Sequence, residues 1–202
     1  MIDYGLVDQS IEFYSGRGYD RVEVPWLVSK AVSDMTKPEG CSTYTVTKET
    51  KRAEKVFVAS AEQSFLYQVC KGHLPESGKF QAVSPCMRDE TFDETHTKYF
   101  VKNELITFWQ PGQVDQKFRD DMVWSTVDDA MSFFKRVIRE RDGDPDALEA
   151  LVTGEASVDV TYRGVELGSY GFRRCSFCEW VYGTGLAEPR FSRFVQKVRR
   201  RG

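Results

Sequence analysis

Apolar residues recur at helical spacing in three long stretches of the chain. These stretches are residues 2–16, where the pattern is only loosely helical, residues 61–74, and residues 116–141, which form the longest predicted helix. Ser60 precedes the second stretch and is a candidate N-terminal cap. The segment "DGDPDALEALV" predicts a turn and a short helix, and "GTGLAEPRFSRFVQKVRRR" predicts a glycine turn followed by a helix.

Other stretches alternate between apolar and polar residues, as strands do. They are "RVEVPWLV", two runs within residues 42–60, a hairpin at 84–105, and two runs that meet near Arg163-Gly164. Pro25 lies inside the first run, and proline cannot donate to a ladder, so we expect an edge or interface strand there. The pattern predicts an α+β fold, an antiparallel sheet with helices packed on it.

Composition limits the class of protein. The 202 residues are 41% hydrophobic, enough for the core of one domain, and the net charge of −3 gives no global signature of nucleic-acid binding. No apolar run approaches the ~18 residues of a membrane span, and no signal peptide is visible. Five cysteines, an odd number, indicate reduced thiols and a cytoplasmic protein.

The hairpin in "SPCMRDETFDETHTKYFVKNEL" carries many charges for a structural strand pair. If even positions face even positions across the turn, one face is apolar. The other face gathers the charged and aromatic side chains Arg88, Glu90, His96, Phe100, Lys102 and Glu104. Arginine matches phosphate oxygens, and a phenylalanine ring can stack on a base. A nucleotide-binding surface is one interpretation, and a solvated face with cross-strand ion pairs is the other.

Five segments, in order, resemble the class II aminoacyl-tRNA synthetases. "GYDRVEVPWLV" is similar to motif 1, "RDE…HTKYF" to motif 2 and "GTGLAEPRFSR" to motif 3. "VELGS" resembles a magnesium-binding Glu-x-x-Ser segment, and "SAEQ" resembles the substrate-binding Thr-x-Glu loop of the seryl branch. Most of these segments favour seryl-tRNA synthetase and its relatives that charge carrier proteins, although "RGVELGSYGFRR" is also similar to the archaeal aspartyl type.

The resemblance implies ATP-dependent formation of an aminoacyl-adenylate, and it implies a role for each matched residue. Arg88 and Arg190 would be catalytic and would hold the phosphates, with Glu90, His96 and Phe100 completing the ATP site. Glu166 and Ser169 would hold Mg²⁺, a cation that prefers oxygen ligands. The amino acid would meet Glu62, Ser60 and Glu104.

Cys175 and Cys178 have the C-x-x-C spacing of half a zinc site. Zinc needs two further ligands, and the candidates are Cys86, Cys41 and Glu104. No second C-x-x-C is present, and buried free thiols are common, so we favour a structural role over zinc.

The resemblance also implies partners. Residues 1–202 are expected to form a single catalytic domain without an anticodon-binding domain, and to form a homodimer through the motif 1 strand. The acyl acceptor would be a tRNA, a carrier protein or a small molecule. The alternative is a catalytically silent relative that binds an amino acid or nucleotide as a regulatory subunit.

Overall fold

A seven-stranded sheet forms the centre of the protein. The computed structural model describes residues 1–37, 40–46, 54–89 and 97–199. The strands of this sheet are β1 (Asp20–Arg21), β5 (Gly78–Met87), β6 (Tyr99–Trp109), β7 (Leu148–Gly154), β8 (Ser157–Tyr162), β9 (Val165–Arg174) and β10 (Glu179–Glu188). Their order is β1-β5-β6-β10-β9-β8-β7, and every neighbouring pair is antiparallel except β1 with β5.

Helices cover the sheet, and a small second sheet lies beside it. The helices are α1 (Tyr4–Ser15), α2 (Lys30–Ser33), α3 (Ala61–Cys70), α4 (Gln116–Glu140) and α5 (Arg190–Arg199), with a 3₁₀ turn at Pro145–Ala147. The second sheet contains β2 (Leu27–Ser29), β3 (Thr45–Val46) and β4 (Lys55–Phe57) in the order β2-β4-β3. The predicted α+β architecture is therefore confirmed. None of the helices in the described part of the chain combines the length and apolar character of a membrane span.

The main core lies between the sheet and helices α1 and α4. Tyr14, Phe133 and Phe134 are fully buried there, and the ring of Phe134 stacks on Phe191 of α5 with 5.4 Å between centroids. A second apolar cluster packs α3 against β5, β6 and β10. Ser60 caps α3 as expected, because its hydroxyl accepts a hydrogen bond from the Glu62 amide at 3.2 Å. The polar residues described below lie outside these two apolar clusters and line a separate cleft.

The hairpin of β5 and β6 has the predicted register. Ser84 pairs with Lys102 and Cys86 with Phe100, so even positions do face even positions. The side chains of Phe100, Lys102 and Glu104 therefore lie on one face, beside Arg88. Glu90 and His96 lie outside the described residues.

The predicted strand around Pro25 is wrong. The chain leaves the large sheet at Val22, whose amide donates to the Gln81 carbonyl, and enters the small sheet only at Leu27. Pro25 lies in the connection, where its carbonyl accepts a hydrogen bond from the Ser64 hydroxyl at 2.7 Å. Because proline has no N–H, it ends the ladder instead of joining it.

Two further predictions need correction. Within the segment that predicts a turn and a short helix, Pro145–Ala147 form a 3₁₀ turn, but residues 148–152 belong to the edge strand β7, because pairing with β8 outweighs the helix propensity of Leu and Ala. The "GTG" segment is not a turn but lies inside β10. A Cβ atom at Gly183 would come within 2.7 Å of the Tyr170 ring, so this glycine permits close packing.

Candidate active site

A polar cleft of about 300 Å³ opens where β6, β9 and β10 meet the start of α5. The candidate zinc cysteines do not line this cleft, which brings together the predicted ATP, magnesium and amino acid residues that lie within the described part of the chain. These residues are Ser60, Glu62, Arg88, Phe100, Glu104, Glu166, Ser169 and Arg190. They come from segments far apart in sequence, so only the fold places them in one cavity.

Arg88 and Phe100 form one wall of the cleft. The Arg88 guanidinium carbon lies 5.1 Å from the centroid of the Phe100 ring, and its Nε donates to the Ala59 carbonyl at 3.1 Å. This backbone contact fixes the guanidinium beside the ring. A planar aromatic group beside a fixed cation suits a ligand with a flat base and an anionic group.

Arg190 and Glu166 form a second part of the cleft wall, and β10 lies between Glu166 on β9 and Phe100 on β6. Arg190 is the first residue of α5, and its Nη1 lies 3.1 Å from the Glu166 carboxylate. The Arg190 side chain is largely buried, whereas half of the Glu166 side chain is exposed to the cleft. Arg190 thus lines the cleft as a cation in addition to Arg88.

A β-bulge allows Glu166 and Ser169 to share the cleft. Residues three apart in a regular strand point to opposite faces. Here Val160 pairs with Gly168 while its neighbour Thr161 pairs with Glu166, so Leu167 has no residue opposite it. This extra residue shifts the alternation, and both Glu166 and Ser169 line the cavity.

Asp159 is a neighbour of this pair that sequence reasoning missed. It is the cross-strand partner of Ser169. Burial raises the pKa of the Asp159 carboxyl, a hydrogen bond with Ser169 lowers it, and the nearby Glu166 carboxylate raises it. Two carboxylates and a hydroxyl therefore lie close together. Asp159 could be found only from the register of β8 against β9, which pairs it with Ser169, and the alternation of residues along a strand does not give this register.

The Glu62 side chain closes one end of the cleft. Its carboxylate is buried and has partners from two neighbouring strands. Arg173 Nη1 lies 2.5 Å from one oxygen, and Trp180 Nε1 donates to the other at 2.7 Å. Burial raises the pKa of the Glu62 carboxyl, and the Arg173 guanidinium opposes this shift. The Arg173 guanidinium also lies 4.3 Å from the centroid of the Tyr182 ring.

Glu104 is the second buried carboxylate of the cleft. The Ser60 hydroxyl donates to one oxygen, and Lys102 Nζ donates to the other at 2.8 Å. The side chain of Glu104 is 1% exposed and that of Lys102 is 11% exposed. The charge of each buried carboxylate is thus compensated by a neighbouring cation, as burial requires. Several further residues line the cleft although the sequence analysis assigned them no role, namely Thr36, Leu167, Arg173, Tyr182, Thr184 and Ala187.

Within the described part of the chain, Cys175 and Cys178 are not joined by the further ligands that a zinc site would need. Cys175 and Cys178 lie at the tip of the hairpin between β9 and β10, with 3.6 Å between their sulfur atoms. Among the described residues, no group of three or more His, Cys, Asp or Glu side chains is placed to hold a metal ion. Cys86 instead contacts Ser84, and Glu104 is bound by Ser60 and Lys102.

Comparison with solved structures identifies the fold. Two structures of pyrrolysyl-tRNA synthetase from Desulfitobacterium hafniense match 96% of the chain and 69% of their own length, with a TM-score of 0.69 and 14% identity. The cytoplasmic serine-tRNA ligase of Naegleria fowleri, solved with AMP, matches 92% of the chain with a TM-score of 0.63 and 17% identity.

The chain spans about half the length of the serine-tRNA ligase, 51%. No protein-family model and no curated protein matches the sequence. The structural matches extend over nearly the whole chain, and both enzymes are class II synthetases. The chain therefore has the fold of a class II aminoacyl-tRNA synthetase catalytic core.

Proposed function

We propose that the protein uses ATP to activate an amino acid, forming an aminoacyl-adenylate and pyrophosphate. The observation that carries this proposal is the convergence of Arg88, Phe100, Glu166, Ser169 and Arg190 in one cleft. These residues match the class II synthetase motifs, and their chemistry suits a nucleoside triphosphate with its metal ion. The structural likeness to two synthetases, one of them solved with AMP, supports the same reaction class.

The two arginines divide the phosphates between them. Arg88 lies beside Phe100, so a base stacked on that ring would place its α-phosphate within reach of the guanidinium. Arg190, at the start of α5, would bind the distal phosphates. The attacking carboxylate of an amino acid is already ionised at neutral pH, so the reaction requires no general base. Catalysis then consists of positioning and charge neutralisation.

The cluster of Asp159, Glu166 and Ser169 fits Mg²⁺. All three supply oxygen atoms, which this hard cation prefers. Asp159 and Glu166 repel each other as anions, which contributes to the raised pKa of Asp159, and a cation between them would remove that repulsion. When bound, Mg²⁺ would offset the charge of the phosphates.

The amino acid would occupy the end of the cleft near Ser60, Glu62 and Glu104. Both carboxylates already have cationic partners, Arg173 for Glu62 and Lys102 for Glu104. A substrate ammonium group would therefore join an existing ion pair or replace its cation. The second step would pass the acyl group to a tRNA, a carrier protein or a small acceptor.

Amino-acid-dependent exchange of labelled pyrophosphate into ATP tests this proposal. We expect one or a few amino acids from a complete panel to support exchange, and we expect exchange to require Mg²⁺. An assay without amino acid is the blank for each nucleotide preparation. If no amino acid supports exchange while the protein still binds ATP, activation is excluded and a regulatory binding role remains.

A further inference from the structure

The Cys175 and Cys178 thiols take no part in the proposed activation chemistry, yet the fold holds them together. They face each other across the tip of the hairpin, one residue beyond the last paired residues, Arg174 and Glu179. The Cys175 amide donates to the Cys178 carbonyl at 2.9 Å, which fixes the backbone between them. Their sulfur atoms are 3.6 Å apart. A disulfide would require the sulfurs to approach by only roughly 1.5 Å.

We propose that Cys175 and Cys178 are a modification site, a dithiol that is oxidised reversibly to a disulfide by a small-molecule disulfide of the glutathione class. The Cys175 thiolate attacks one sulfur of the reagent and releases the first thiol. The Cys178 thiol then loses its proton and attacks the Cys175 sulfur, which releases the second thiol. The protein thus loses two electrons and two protons, and the reagent gains both.

The exposure of the two cysteines indicates which thiol reacts first with the reagent. Cys175 is partly exposed, whereas Cys178 is fully buried, so the reagent reaches Cys175 first. Cys70 is exposed at the end of α3 and lies close enough to Cys175 to interact with it electrostatically. Cys70 is therefore the competing partner. The hydrogen-bonded hairpin tip favours Cys178, which already contacts the Cys175 sulfur.

Oxidation of the cysteine pair would also affect the cleft, because β9 and β10 connect the hairpin tip to residues that bind Glu62. Arg173 and Trp180 are cross-strand partners two residues from the cysteines, and both bind the Glu62 carboxylate. A bridge that tightens the hairpin tip would shift these two side chains relative to Glu62. This consequence rests on the proposed function. We expect oxidation to change the KM for the amino acid by about threefold or more.

Peptide mass analysis tests the site directly. The folded protein is incubated with oxidised glutathione, free thiols are blocked with iodoacetamide, and the chain is digested with trypsin. Cleavage after Arg174 and Arg190 gives a peptide that contains Cys175 and Cys178 and no other cysteine. We expect this peptide unalkylated and lighter by two hydrogen atoms. Prior treatment of the oxidised protein with dithiothreitol should return the doubly alkylated form.

Serine variants separate the outcomes. Cys70→Ser should still form the bridge, whereas Cys175→Ser and Cys178→Ser should not. A peptide that remains doubly alkylated, a stable glutathione adduct, or a link between Cys70 and Cys175 would overturn the proposal. The mass measurement does not depend on activity, so it distinguishes failure of this site from failure of amino acid activation. A KM that is the same in the oxidised and reduced protein would overturn the coupling to the cleft.

Discussion

At the scale of single residues, Arg88 is the group whose replacement tests the reaction most directly. Its guanidinium is fixed by the Ala59 carbonyl and lies beside Phe100. Arg88→Ala should lower pyrophosphate exchange by a factor of a hundred or more, because losing one transition-state charge partner costs about 3 kcal/mol. Arg88→Lys should also lose most activity, since an ammonium group cannot make the paired contacts of a guanidinium.

Arg139→Ala is the matched control, because Arg139 is exposed near the end of α4. Both variants should give the circular dichroism spectrum of the parent protein. Exchange by Arg88→Ala at the level of Arg139→Ala would refute the role assigned to Arg88.

Asp159 gives a prediction that links pH, metal and stability. Its pKa is raised in the folded protein, by burial and by Glu166. A raised folded pKa gives stability that is fully present below the unfolded pKa and is lost as pH rises through the folded pKa. At neutral pH without Mg²⁺, Asp159→Asn should therefore unfold at the same or a higher temperature than the parent. Thermal melts with EDTA measure this difference.

The same variant should behave in the opposite way when ATP and Mg²⁺ are added. The parent should gain thermal stability, because a ligand that binds only the folded state stabilises it, and Asp159→Asn should gain less. Exchange activity of the variant should fall about tenfold or more, which corresponds to ~1.4 kcal/mol. If Asp159→Asn keeps full activity and the full Mg²⁺ effect, this carboxylate has no part in the site.

Strand alternation and motif order predict where several single residues lie, and the roles of these residues stay predictions. Arg88, Phe100 and Glu104 lie where the hairpin parity places them, and Glu166 and Arg190 share the cleft that the motif order implied. Arg173 and Asp159 could not be predicted in the same way. Their positions depend on which strands are neighbours and on the bulge in β9. Neither property can be predicted from the alternation of apolar and polar residues within one strand.

At the scale of elements, β10 depends on residues without side chains. A Cβ atom at Gly185 would lie 2.8 Å from the Tyr14 ring and 3.1 Å from the Asn103 carbonyl oxygen. Gly185→Ala should lower the free energy of unfolding by about 1–3 kcal/mol, the usual cost of overpacking a core. Urea denaturation measures the change.

Gly154→Ala in β7 is the comparison for this effect, since its new Cβ atom would meet only Ser157 atoms at 3.7 Å. This variant should stay close to the parent in stability. Equal stability of Gly185→Ala and Gly154→Ala would show that the close packing around β10 is not required.

Elements were predicted less reliably where tertiary pairing decides the outcome. Residues 148–152 include the helix formers Leu, Glu and Ala but complete the edge of the sheet against β8. The run around Pro25 alternates as a strand does, but the proline separates two short strands that belong to different sheets. By contrast, α4 was predicted nearly to its ends, because a long stretch repeats at one spacing and buries one face.

At the scale of the whole molecule, we predict a homodimer. Trp26 is 55% exposed and precedes β2, an edge strand of the small sheet. A large exposed apolar side chain next to an open strand edge favours a two-fold contact. Light scattering should give twice the monomer mass, and Trp26→Glu should reduce it to the monomer.

Trp124→Glu is the control for this experiment, because Trp124 is 42% exposed but lies on α4. It should leave the dimer intact. A parent protein that is monomeric at tens of micromolar would contradict the prediction.

We also predict that this chain alone binds tRNA weakly. Binding to nucleic acid depends on several phosphate contacts, and the chain carries a net charge of −3. Once activation is established, the chain should transfer little of the activated amino acid to total tRNA unaided. Filter binding and aminoacylation assays measure both quantities. Efficient aminoacylation with sub-micromolar tRNA affinity at physiological salt would show that the acidic balance is no obstacle.

The unpaired Leu167 means that the candidate cation site depends on the number of residues between Glu166 and Ser169 as well as on the chemistry of their side chains. Deleting Leu167 would remove no oxygen ligand, and it would leave Glu166 and Ser169 two positions apart, the spacing at which a regular strand presents both side chains on one face without a bulge. Substitution of Leu167 by another apolar residue should leave the count intact. Relatives of this chain could therefore keep both ligating side chains in the cleft in two ways, three positions apart with a bulge or two positions apart in a regular strand.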